Sequence, residues 1–148
     1  MLAIGSQNLN AQSTVYFFVR SSANSEITLK KNGQDLFEMR GNLKKTIKPT
    51  SPMKLPLNNY FPAYRKCEFK DEGKVLFGVE NKYTNCVTEE VTTMAGEIQI
   101  NLSEGSIHYL SITSKGLNDI QFKEITEKEA LKMMKEKKRT KLEDYIEQ

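Results

Sequence analysis

The sequence predicts a mostly β fold: an antiparallel two-sheet β-sandwich of about seven strands, followed by a C-terminal α-helix. Three features of the chain predict it. Apolar residues alternate at a period of two, most clearly in Ile98, Ile100 and Leu102, as in strands with one buried face. Turn signals recur between these runs at Asn32-Gly33, Asp71-Glu72-Gly73, Ser103-Glu104-Gly105 and Lys115 to Asp119. Helical spacing begins only after Thr126, where Thr126-Glu127-Lys128-Glu129 forms a capping box. The chain has 148 residues. At that size folding hides roughly 68 to 70% of the unfolded surface, enough for one core.

The first strand is Val15 to Val19, apolar on both faces as a central strand is. In "EITLKKNGQDLFEM" a two-residue turn at Asn32-Gly33 would set Ile27 opposite Glu38. A three-residue loop of Lys31, Asn32 and Gly33, with Gly33 as a left-handed bulge, puts Ile27, Leu29, Phe37 and Met39 on one face and is preferred. From Arg40 to Lys70 the periodicity fades, and four prolines predict loop with short extended pieces. Lys74 to Glu80 is the next strand, and Asn81 to Ala95 a connection or edge strand. Glu97 to Leu102 and Ile107 to Thr113 come next as strands joined by the turn at Gly105, and Ile120 to Ile125 is the last. Leu131, Met134, Leu142 and Tyr145 then recur at helical spacing, predicting a helix over 126–148 that packs through a narrow apolar stripe.

Residues 1–12 read as the remnant of a signal peptide or as a disordered polar arm. Leu2 to Gln12 is similar to the tail of an export signal cleaved near Ala11 or Gln12, although no basic segment precedes it. Export would place the protein in the periplasm or outside the cell. Cys67 and Cys86 are then a candidate disulfide closing a loop of about 19 residues, which contributes roughly 3 kcal/mol on the chain-entropy model. Two free buried thiols are the alternative. Apolar runs are far shorter than the ~20 residues of a membrane span, and mean hydropathy is -0.57. The net charge of +3 gives no global polycation, so nucleic acid is not an expected partner.

"TVYFFVR", "ITLKKNGQDLFEM", "INLSEGSIHYLSIT" and "IQFKEITEKEALKMMK" together resemble a family of small bacterial domains of unknown function that are exported or lipid-anchored. The resemblance covers Thr14 to Met39 and Glu97 to Lys135. It implies a β-sandwich without known catalysis. The middle of the chain departs from the family pattern, and His108 stands where the family has the first residue of a Tyr-Tyr pair.

Candidate chemistry is sparse. The single histidine, His108, is expected on the face of Leu110 and Ile112 as a packed, hydrogen-bonded residue, and a Cys67 or Cys86 dyad with it has no local signature. Glu89-Glu90 and Asp71-Glu72 are adjacent pairs that read as solvated turns, and no cofactor or metal motif is present in the sequence. The most unusual stretch is 40–70. Lys44, Lys45, Lys48, Arg65 and Lys66 are interleaved there with Tyr60 and Tyr64, a composition that can hold a polyanion or stack on sugar rings. Against this stands the plain reading of aromatics anchoring a loop beneath solvated lysines. The expectation is a non-enzymatic secreted or periplasmic module that binds a protein or another envelope component. A polyanion- or carbohydrate-binding module using residues 40–70 is the alternative.

Overall fold

Val15, Phe17 and Val19 point to one side of β1 (Ser13–Ser22) and Phe18 to the other, and all four are buried. A strand apolar on both faces needs cover on both, and the fold supplies it. The computed structural model describes residues 12–22, 25–39, 60–85, 87–115 and 119–148. The remaining elements are β2 (Ser25–Lys31), β3 (Gln34–Met39), β4 (Tyr60–Phe69), β5 (Gly73–Thr84), β6 (Val91–Leu102), β7 (Ile107–Lys115), β8 (Asp119–Glu124), α1 (Glu127–Met134), β9 (Thr140–Lys141) and β10 (Tyr145–Ile146).

Two sheets face each other. The first runs β10-β4-β1-β7-β8, with β9 also on β4, and the second runs β3-β2-β5-β6. Their inner faces share one core, built from Phe17, Phe69, Leu110 and Phe122 on the first and Leu29, Met39, Phe77 and Leu102 on the second. On the outer face of the first sheet, Phe18 packs with Ala130 of α1 and with Ile125. Gly96 of β6 closes one side of the sandwich. A Cβ there would lie 3.2 Å from the Ile120 side chain and 3.3 Å from its carbonyl oxygen, so a larger residue would push β6 and β8 apart by a few tenths of an ångström.

Among the described residues the chain is mostly β with a helix after the long strands, as expected, but it has ten strands rather than about seven, and the first sheet is mixed rather than antiparallel. β1 pairs antiparallel with β4 and parallel with β7. The turn at Gly105 carries the chain from the second sheet into the first, so β6 and β7 do not form a hairpin. The β2–β3 hairpin has the expected faces, with Ile27 opposite Met39 and Leu29 opposite Phe37. It reaches them by another route: Asn32 (φ 52°) and Gly33 (φ 85°) form a two-residue turn, and a bulge lies beyond it at Leu29/Lys30. Residues 60–69, expected as loop, form the full strand β4, whose outer edge the tail pairs at Ala63, Tyr64, Cys67 and Glu68. Pro62 lies outside those tail pairings, so its missing N–H leaves no gap in that ladder.

The predicted helix over 126–148 is also corrected. Its start is as expected: the Thr126 hydroxyl accepts from the Glu129 N–H at 3.1 Å. The helix stops at Met134, and the residues after it instead cover the edge of β4. Arg139, its side chain fully buried, donates through Nη1 to the carbonyls of Val19 (3.2 Å) and Ala63 (3.1 Å). The Leu142 N–H donates to the Tyr64 carbonyl, and Tyr145 packs on Phe37 and Phe69. Lys31 binds Asp71 at 2.8 Å and Glu147 beside it, and the Lys70 N–H donates to the Glu147 carboxylate at 3.0 Å.

Truncating Phe17 to Ala should cost about 4 kcal/mol, read as a lower denaturant midpoint, because it removes one ring from contact with four others. A loss under about 1 kcal/mol would contradict this role for Phe17.

The Lys31 cluster gives a pH dependence with a definite sign. Burial raises the Asp71 carboxyl, but the hydrogen bond and charge of Lys31 outweigh it and hold the group below its ordinary 3.8. That contribution is complete above the ordinary value and fades as pH falls through the folded one. Burial likewise lowers Lys31, and its bonds to Asp71 and Glu147 outweigh it, so Lys31 lies above 10.5. Its contribution is complete below that value and is lost as pH rises through the folded one. The difference in thermal midpoint between wild type and Lys31→Met should therefore be greatest near neutrality and shrink as pH falls below 3.8 and as it rises above 10.5.

Candidate binding surface

Strand register places side chains of three neighbouring strands in rows across the outer face of the first sheet. One row holds Tyr64, Phe18 and Ser111, and α1 packs over Phe18 and Tyr64 through Ala130, Met133 and Met134. The next row holds Lys66, Tyr16 and Tyr109, all half-buried. Beyond it lie Glu68, Thr14 and Ile107, with Ile146 of β10 beside Glu68. Ile107 is 56% exposed and Ile146 51%, so apolar side chains stand in water at the end of the sheet where α1 does not reach.

The rings of Tyr16 and Tyr109 stack at 5.1 Å with an interplanar angle of 23°. They face each other across β1 and β7. Burial, with Glu127 and Tyr16 nearby, raises the Tyr109 phenol, which keeps its proton and remains a hydrogen-bond donor near neutral pH.

Of the residues singled out from the sequence, Lys44, Lys45 and Lys48 lie outside the described residues. Tyr60 opens β4 with its backbone paired to Ser22. Tyr64 is stacked on Phe18 at 5.6 Å. Arg65 points to the opposite face, where its guanidinium lies 4.5 Å from the centroid of Phe37 and donates to the carbonyls of Glu143 (2.7 Å) and Glu38 (3.2 Å). It ties β3 and the tail to β4 and is spent in doing so. Lys66 stays on the outer row, with Glu68 two residues along the same strand. The predicted cluster is thus divided between a structural tie and a surface row.

Cys67 is a free, fully buried thiol, and Cys86 lies outside the described residues. Cys67 and His108 do fall in one row, but Val15 stands between them. Two strand spacings, about 9.6 Å, are beyond thiol–imidazole contact. Burial also pushes the Cys67 thiol far above its ordinary value, against thiolate chemistry. His108 is held as expected, its Nδ1 2.7 Å from the Glu124 carboxylate. Asp71 is engaged by Lys31, and Glu72, Glu89 and Glu90 are exposed.

Among the described residues no group of three or more His, Cys, Asp or Glu side chains is arranged around a common metal position, and no helix is long and apolar enough to cross a membrane. No family model, curated protein or solved structure matches the chain. Sequence reasoning missed the Tyr16–Tyr109 pair because each tyrosine alone is an ordinary strand residue. The pair exists only through the parallel register of β1 and β7.

Native protein treated with iodoacetamide near neutral pH should leave Cys67 unmodified for hours and release it to the reagent only on unfolding, as peptide mapping would show. Rapid native labelling of Cys67 would contradict its burial.

Proposed function

We propose that the chain is a non-catalytic interaction module of the cell envelope, and that it docks a partner protein on the first sheet's outer face at and beyond the border of α1, where Tyr16 and Tyr109 also pack against the Phe18–Ala130 cluster. The observation that carries this reading is the stacked, half-buried Tyr16–Tyr109 pair beside the exposed Ile107. Tyrosines and apolar side chains held on a rigid sheet lose little conformational entropy on binding, and tyrosine is enriched among the residues that dominate interface energies. Lys66 and Glu68 supply opposite charges at one border, which suits a mixed protein surface better than a polyanion. The envelope assignment is supported by the export-like Leu2 to Gln12 segment.

Photo-crosslinking residues introduced at positions 16, 107 and 146 should capture one discrete protein in the envelope fraction, while positions 82 and 92 on the second sheet should not. Once purified, that protein should bind wild type and lose roughly 30-fold or more in affinity to Tyr16→Ala with Tyr109→Ala, about 2 kcal/mol, in a variant whose circular dichroism is unchanged. Equal adducts at all positions, or an unchanged affinity, would refute the docking face. Recovery from the cytosol alone would refute the envelope assignment.

A further inference from the structure

The outward row of β5 reads Lys74, Leu76, Gly78, Glu80, Lys82, so one side chain is missing from its middle. Across the second sheet the row through that gap is Asp35, Lys30, Gly78 and Glu97. A groove of about 350 Å³ lies over Gly78, flanked by Lys30, Leu76, Glu80 and Glu97. The backbone does not require glycine here. A Cβ at position 78 would make only ordinary contacts, at 3.6 Å to the Lys30 side chain and 3.8 Å to the Gly96 carbonyl. The groove is therefore a gap that a side chain could have filled without strain.

Its charges are unevenly satisfied. Lys30 lies 3.4 Å from Asp35 and 3.5 Å from Glu80, and Lys82 lies 3.9 Å from the other oxygen of Glu80. Glu97, whose Cγ borders the gap at 3.9 Å, has no cation partner among the described residues. An occupant that lays an alkyl chain over Gly78 and the exposed Leu76, and ends in a positive group, would meet the Glu97 carboxylate. We infer that this groove is a binding site for an alkyl chain ending in an ammonium or guanidinium group, the chemistry shared by lysine and arginine side chains and by free diamines. It lies on the opposite face of the sandwich from the proposed docking surface and does not depend on it.

Titration of the isotope-labelled protein with 1,5-diaminopentane, and separately with N-acetyl-lysine methylamide, should give saturable amide shifts centred on Gly78, Gly96 and Glu97 that weaken with added salt. Binding by the diamine alone marks a free diamine site; binding by the lysine derivative marks a peptide site. Pentanol, lacking the charge, should give none. Gly78→Val fills the gap and should abolish the shifts with no loss of thermal stability. Glu97→Gln, which leaves the backbone alone, should weaken binding about tenfold. Absence of shifts with both amines, shifts that survive Gly78→Val, or shifts spread evenly over the acidic surface would overturn the assignment. So would a wild-type dimer that Gly78→Val converts to monomer in sedimentation, which would give the groove to a second copy of the chain.

Discussion

Phe17 is the constraint on which the two-sheet arrangement depends. From the middle of β1 its ring contacts Phe37 of β3, Phe69 of β4, Phe77 of β5 and Phe122 of β8, with centroids 5.3 to 6.5 Å away. All four contacts are edge-on, the geometry that ring quadrupoles favour. One fully buried side chain thus joins both sheets. β1 holds that position because β4 and β7 flank it, so its register fixes where Phe17 enters the core. The same strand sends Phe18 the other way, which is why the first sheet needs a cover of its own and α1 lies where it does.

A second constraint comes from β4. As the last long strand on its side of the first sheet it would leave a free edge, and free edges invite pairing with other chains. The C-terminal tail closes it with two short parallel pairings. Such brief pairings hold little by themselves, and side chains fasten them: the buried Arg139 on the carbonyls of Val19 and Ala63, Tyr145 on Phe37 and Phe69, and Glu147 at Lys31 and the Lys70 amide. Arg65, read from sequence as a ligand-binding cation, belongs to this fastening.

Once core and edge are satisfied, the two outer faces differ in character. That of the first sheet carries the stacked Tyr16–Tyr109 pair at the border of α1 and the exposed Ile107 and Ile146 in the row beyond it. That of the second is charged and interrupted at Gly78. A face of the first kind gains by excluding water over a wide area, and one of the second kind by matching a single charge. The two proposed sites therefore differ in the chemistry each would use.

Much of the local structure was legible in the chain itself. The alternation of Ile98, Ile100 and Leu102, the double-faced apolar run of β1, the pairing of Ile27 with Met39 and the Thr126–Glu129 cap all depend on neighbours within a few residues, and such signals are written in local order. Gly105 announced a turn but not its destination, since a turn residue sets a local φ and not the sheet the next strand joins. Prolines hid β4, and helical spacing in 131–145 concealed a tail that covers an edge instead of continuing the helix. The same reason put both surface sites out of reach of sequence reading: Tyr16 meets Tyr109, and Gly78 falls between Lys30 and Glu97, only after long-range register has been chosen. Local residue order sets which residues alternate, turn and cap. Tertiary structure alone decided which strands became neighbours, because burial around Phe17 rewards that pairing and no nearby residue encodes it.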